Sequence, residues 1–424
     1  MKSDAEILKD KISVSKTSKE RQKVFDFQRK VLKNGMTILF EKRDIPVVSV
    51  AFAVRNGGIN ETPEEKGISH FIEHMLYKGT PTRNSKKIAE EIERNGGDMN
   101  GFTSEAITAY FCKMPSKHLD VALDVLSDMI KNPLFDEKEL EKERKVIFEE
   151  IKMCHDNPLK HIFDEIQKCL YNGTMGINLA GTYETMNSID KKKILKKFGE
   201  IYHSNNMILC VVGDADFEKI IRFAEKNFGD KKGKVPEQKF NLKNESKIEK
   251  RKGIDQANLV FAYHVPLAQE KKSYAARVLS CLMAGGMSSR LFSEIREKRN
   301  LAYVVKGDSS INKDFAYSLV YVGTTKENVG IVKKLILEEF EKVSNNLDEE
   351  ELKQVKGQLI GNYQISMEDS QTQMVNLLSS EINGNAEDFY KFEKNISDVK
   401  LKDVRELAKK AKEKFSFFVL VPEE

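Results

Sequence analysis

No stretch of this 424-residue chain is both long and apolar enough to cross a bilayer. Its longest apolar runs are of strand length, against the roughly 20 residues that a spanning helix needs. The N-terminus, MKSDAEILKDKISVSKTSKERQK, lacks the apolar core of a secretory signal and carries acidic residues that a mitochondrial transit peptide avoids. Residues 1–23 read instead as a flexible extension. Cysteine is scarce. The five, Cys112, Cys154, Cys169, Cys210 and Cys281, are widely spaced, with no C-x-x-C pair and no even-numbered framework. They read as free, mostly buried thiols, which suits a reducing cytoplasm. An excess of one charge is also missing. Seventy Lys and Arg against 66 Asp and Glu leave +4, which gives no electrostatic reason to expect a nucleic-acid partner. Lysine clusters such as Lys191-Lys192-Lys193 read as solvated helix faces.

Histidine is rare too, at seven residues, yet two of the seven stand in His70-Phe71-Ile72-Glu73-His74. On a helix, positions i and i+4 share a face, so two neutral imidazoles there can grip one Zn²⁺. Glu73 then lies at the metal's edge, where a carboxylate can take a proton from a water that the metal acidifies. This is the H-x-x-E-H order, the reverse of the commoner H-E-x-x-H. The context supports a helix here. A strand, Val47 to Val54 (VVSVAFAV), and a turn at Gly57-Gly58 come first; Gly67 then precedes the periodic apolar positions Ile68, Phe71, Ile72, Met75 and Leu76.

A catalytic zinc normally has three protein ligands and one open position. The third ligand is expected on the helical stretch Asp136 to His155, whose apolar face runs through Leu140, Val146, Ile147 and Ile151. Glu143 and Glu150 lie seven apart and share a stripe, but the helix is rich in carboxylates. Spacing leaves Glu143, Glu149 and Glu150 open.

With its flanking text, NGMTILFEKRD before the first strand, HMLYKGT after the motif and NGGDMNGFTSEAITAYF further on, the chain resembles the pitrilysin and insulysin superfamily of zinc peptidases from about Val31 onward. It is most similar to the branch that contains the catalytic subunit of the mitochondrial processing peptidase. The resemblance implies a glutamate ligand about 76 residues after the motif, which is Glu150, and a supporting glutamate seven residues earlier, which is Glu143. It also implies an edge strand that binds peptide backbone at Asn100 and Gly101, and an Arg and a Tyr seven residues apart, here Arg296 and Tyr303, that contact substrate and steady an oxyanion. Relatives that read an arginine near the cleaved bond use acids on the helix after the distal glutamate. Asp164 and Glu165 stand there, beside Lys160 and His161.

The chain is written twice. LFDEKEL at Leu134–Leu140 returns as NLDEEEL at Asn346–Leu352, with Asp136 and Asp348 as N-caps and Glu139 and Glu351 as capping-box partners. Strand pairs, a following helix and a closing strand recur at the same offset. The polar, turn-rich stretch 229–253 reads as a linker between a zinc-bearing domain, 24–228, and a second homologous domain, 254–424. Each half mixes strands and helices, an α+β class with helices on a mainly antiparallel sheet. The family resemblance makes each an α/β roll. Shifting His70, His74 and Glu150 by 212 residues lands near Leu282, Gly286 and Asn362, so the second half holds no equivalent ligands. Its densest motif is GGMSSRLFSEIREKRNLAY from Gly285 to Tyr303. Ser288 or Ser289 is a candidate helix cap there, and the segment lacks the lysine and spacing of a phosphate loop.

Two function classes follow. One is a zinc endopeptidase that hydrolyses peptides or unfolded segments, closed into a chamber as a homodimer or as a heterodimer with a related subunit. The other is a non-catalytic scaffold or peptide-holding subunit of a processing-peptidase-like complex.

Overall fold

The computed structural model describes residues 26–237 and 239–423, so the N-terminal extension expected over residues 1–23 lies outside the described residues. Eleven strands among them form two sheets. The first contains β1 (Asp26–Val31), β2 (Thr37–Lys42), β3 (Val47–Val54), β4 (Asp98–Thr103), β5 (Thr108–Pro115) and β6 (Met207–Gly213), in the order β1-β2-β6-β3-β5-β4. The second contains β7 (Ser246–Arg251), β8 (Ala257–His264), β9 (Ala302–Ile311), β10 (Ala316–Thr324) and β11 (Ser416–Pro422), in the order β7-β11-β8-β10-β9.

Without β1, the two orders are the same, and so are the pairing directions. β2 runs parallel to β6 as β7 does to β11, while the remaining pairs in both sheets are antiparallel. The duplication read from the capped helices is thus a duplication of sheets, and the α+β class with two tandem units holds. The stretch expected as a linker is shorter than 229–253. Its last part is β7, and Lys243 N–H and Glu245 N–H bond to Leu170 O and Cys169 O just before it. β7 is an exposed edge strand, SKIEKR, with Ile248 68% exposed; charged edge strands resemble loops in composition.

The halves exchange a helix. A shift of 212 residues carries helix Pro158–Leu170 onto helix Ser370–Ile382, bound for bound. The first packs Ile162, Ile166 and Leu170 against Val260, Ala262, Phe418 and Leu420 of the second sheet. The second packs Met374, Leu377, Leu378 and Ile382 against Leu39, Ala51, Ala53 and Cys210 of the first. The alternation in VVSVAFAV explains how. Val48, Val50, Phe52 and Val54 fill the first half's own core, whereas Ser49, Ala51 and Ala53 present small side chains that admit the visiting helix. Ser49 and Ser370 share a hydroxyl–hydroxyl bond of 2.9 Å. Buried Glu381 accepts from Arg29 Nε and Nη2, both at 2.8 Å, and from Arg55 Nη2 at 2.9 Å. Because each sheet is covered by the other half's helix, the halves cannot separate without exposing an apolar face of each sheet. No helix among the described residues is long and apolar enough to cross a membrane.

Candidate metal centre

The motif occupies helix Ile68–Leu76. Its start is set by Gly67, at φ +94°, a left-handed conformation that costs an ordinary residue. A Cβ there would also lie 2.5 Å from Met186 Cε and 2.6 Å from Ala180 O. Buried Glu61 takes two N–H groups at this end of the helix, its Oε2 accepting from Gly67 N at 2.9 Å and its Oε1 from Ser69 N at 2.7 Å. Ile68, Phe71, Ile72, Met75 and Leu76 anchor the helix in the core with Phe52 and Tyr110. That anchoring turns His70 and His74 toward helix Glu137–Asp156.

The long helix begins at Asp136, whose carboxylate accepts from Lys138 N and Glu139 N. Leu140 and Ile147 bury its apolar side and present Glu143 and Glu150 to the motif helix. Glu150 Oε2 stands 3.5 Å from His70 Nε2 and 3.6 Å from His74 Nε2, and the two Nε2 atoms are 3.2 Å apart. A tetrahedron with bonds of about 2.0–2.1 Å has edges of about 3.4 Å, so three donors at these separations fit three corners of a zinc site. His74 Nδ1 lies 3.1 Å from Glu143 Oε2; donation there leaves the Nε2 lone pair facing the other donors. Burial, with His74 adjacent, pushes the His70 imidazole down to about 3, so it stays neutral. With both imidazole protons on Nδ1, three lone pairs face one point, which a cation between them satisfies. The donor set therefore fits a divalent metal.

Glu73 is buried beside this cluster, and its Oε2 accepts from Thr103 Oγ1 at 3.1 Å. Burial raises its carboxyl above the usual range, against the opposing pull of His74 and the Thr103 hydroxyl. Lys78 Nζ completes Glu143 at 2.6 Å. Thr103, Lys78 and Glu61 did not emerge from sequence reasoning. Lys78 carried a signal, since it follows His74 by four and so shares the face that meets Glu143. Thr103 and Glu61 reach the motif through folding alone.

β4 is the last strand of its sheet, and Asn100 and Gly101 lie on it. Asn100 is exposed, with Oδ1 accepting from Gly101 N at 2.8 Å. Both residues thus lie on a strand with one free edge. Arg296 and Tyr303 meet each other, the guanidinium carbon 5.1 Å from the Tyr303 ring centroid and 4.8 Å from that of Phe292. Arg296 sits on a π-helical turn, Phe292–Glu297, and Tyr303 is 75% exposed on edge strand β9. Neither contacts His70 or His74 among the described residues. The Ser289 hydroxyl donates to Gly286 O at 2.7 Å, and the π-helical turn that follows has no side-chain cap bond. Glu165 is engaged by Lys168 and by Lys247 of the second sheet, and Asp164 accepts from Asn178. Glu165 therefore ties the first half to the second sheet, while Asp164 is paired within the first half. The five cysteines are free, four of them buried.

Known proteins resemble the chain over most of its length. The sequence model for insulinase (peptidase family M16) matches residues 37–183, and that for the peptidase M16 inactive domain matches residues 188–359. The chain is 33% identical over 351 residues to a protein of Rickettsia felis named "uncharacterized zinc protease", covering 81% of this chain and 84% of that one. It is also 33% identical to the "uncharacterized zinc protease YmxG" of Bacillus subtilis, covering 82% and 86%. Among solved structures, a protease from Helicobacter pylori superimposes with a TM-score of 0.87 at 22% identity, covering 94% of this chain and 100% of the other. The chain belongs to peptidase family M16, the insulinase family.

Proposed function

We propose that the chain is a zinc-dependent endopeptidase that hydrolyses peptides or unfolded segments, with His70, His74 and Glu150 as ligands and Glu73 as general base. The observation that carries this reading is the convergence of three donor atoms at 3.2–3.6 Å with a buried carboxylate next to them. Bound there, Zn²⁺ supplies Lewis acidity toward the scissile carbonyl and the attacking water. The remaining steps belong to the chain. Thr103 holds Glu73 Oε2, which leaves Oε1 to accept the water's proton and return it to the departing amine. Burial strengthens that base. Glu143 fixes the tautomer and orientation of His74. The free edge of β4 at Asn100 and Gly101 takes peptide backbone as an added strand, which favours extended, unfolded substrates over folded ones.

Arg296 and Tyr303 project outward as a stacked pair, and the described residues of the second half form no ligand cluster of their own. We read them as acting on the site of a partner chain, across a homodimer or a heterodimer with a related subunit that closes a chamber. The five free thiols suit the cytoplasm.

The inactive-domain match covers residues 188–359 and so contains none of the four site residues. The scaffold alternative requires a chain that holds no metal. Zinc analysis of the purified protein, with peptide hydrolysis before and after chelation and zinc re-addition, decides between them. One zinc per chain and activity restored by zinc is the expected result. A folded chain with neither would overturn the assignment.

A further inference from the structure

Tyr77 lies four residues after Glu73, as the C-cap residue that ends the motif helix, and its αR backbone continues the same face. Its hydroxyl is buried and has no hydrogen-bond partner among the described residues, a costly state for a donor that water cannot reach. It also explains Gly101. A Cβ built on Gly101 would lie 2.4 Å from Tyr77 Oη and 3.2 Å from Glu73 Oε1, with Ala109 O at 3.0 Å. The phenol oxygen and the unclaimed carboxylate oxygen thus flank one point of the edge strand. Thr103 occupies Oε2, so Oε1 is the carboxylate oxygen that faces this point.

We propose that Tyr77 is a positioning residue for the general base. Its hydroxyl sets how closely β4 approaches the motif helix, and it donates to Glu73 Oε1 as the carboxylate swings between water and leaving amine. Gly101 is glycine because the Tyr77 hydroxyl fills the place of a side chain. Of the neighbours that Gly101 meets, the hydroxyl is the closest and the only one that a single conservative substitution removes. The peptide-binding edge and the proton-handling residue are then set by one atom, so strand position and base orientation are coupled. The inference rests on the reading of Glu73 as base, but its steric half is independent of catalysis.

The test is a double-mutant cycle of Tyr77→Phe and Gly101→Ala on the zinc-loaded full chain, read by thermal unfolding, zinc content and steady-state kinetics. Tyr77→Phe is expected to keep zinc and KM and to lower kcat about five- to tenfold, the size of one lost neutral hydrogen bond. Gly101→Ala is expected to lower the unfolding midpoint by several degrees in the parent. It should cost clearly less in the Tyr77→Phe background, where the 2.4 Å clash is gone and the looser approaches of Ala109 O at 3.0 Å and Glu73 Oε1 at 3.2 Å are left. If Gly101→Ala alone does not fold, recovery of folded protein in the double variant supports the same steric pairing. Equal Gly101→Ala losses in both backgrounds overturn the steric assignment, and an unchanged kcat for Tyr77→Phe overturns the positioning role. A fully active Glu73→Gln control would instead remove the general-base reading on which the kinetic half depends.

Discussion

Glu143→Gln isolates support from ligation. In the folded chain Glu143 does two things: Oε2 holds His74 Nδ1 at 3.1 Å and Oε1 holds Lys78 Nζ at 2.6 Å. The amide can keep only one of these bonds, because its nitrogen cannot accept. If its oxygen stays with His74, the Lys78 ammonium, with 27% of its side chain exposed, faces an NH₂ group. If the oxygen turns to Lys78, His74 loses the acceptor that fixes its tautomer. Either way the carboxylate's charge near the metal is gone. Loss of such an outer partner costs about 10- to 100-fold in metal affinity, which is about 1.4–2.7 kcal/mol. The assay is competition for zinc against a chelator of known affinity, with turnover measured at saturating zinc. Turnover should then largely recover, since the ligand set and Glu73 are intact. Zinc affinity within twofold of the parent would refute the supporting role. Complete loss of zinc, as expected of Glu150→Gln, would mean that ligand and support have been interchanged.

Four further outcomes are expected. His70→Ala or His74→Ala should abolish stoichiometric zinc and activity together, whereas Glu73→Gln should retain zinc and lose about 10²- to 10⁴-fold in kcat; zinc analysis beside kinetics separates them. Glu381→Gln leaves Arg29 and Arg55 facing a neutral amide at the buried contact between the halves and should cost about 2–4 kcal/mol in urea unfolding. Burial pushes the Asp128 carboxyl up, but hydrogen bonds from Asn132, Thr80, Arg83 and Thr82 outweigh it and bring it down to about 2. A folded value below the unfolded one stabilises above about pH 4, and the contribution, about 1 kcal/mol after screening, is lost as pH falls through about 2; Asp128→Asn should flatten the acid limb of the unfolding curve between these values. Mixing Glu73→Gln with Tyr303→Phe under subunit exchange should give activity above either parent if Tyr303 acts across a dimer, and verified mixed dimers without rescue would place its action elsewhere.

Much of the fold was legible because it rests on local chemistry. The apolar period after Gly67 set the motif helix, the run VVSVAFAV set β3, and Asp136 and Asp348 set two helix starts through the same side-chain cap. The repeat was visible too, but not its consequence. The periodicity of helix Pro158–Leu170 shows an apolar face and says nothing of which sheet the face meets; the exchange depends on Ser49, Ala51 and Ala53, which read only as small residues in a strand. β7 was missed for the opposite reason. An exposed edge strand needs no apolar alternation, so its six residues carried the composition of a loop.

The choice among Glu143, Glu149 and Glu150 shows where spacing stops. Glu149 points about 100° away from Glu150 on the helix and is exposed, so angle alone could have removed it. Angle cannot separate Glu143 from Glu150, because seven residues return to the same stripe. What separates them is height along the axis, about 10 Å over seven residues. His70 and His74 are only about 6 Å apart along their own helix, and both direct Nε2 toward one point. Only the carboxylate level with that point can complete it. The other meets the far nitrogen of His74, which its helix height brings within 3.1 Å. Height is set by how the two helices cross, and the crossing is set by Leu140 and Ile147 packing into the core with Phe71 and Met75, contacts between residues about 70 positions apart. A single sequence states each helix's stripe and leaves their relative height to tertiary packing.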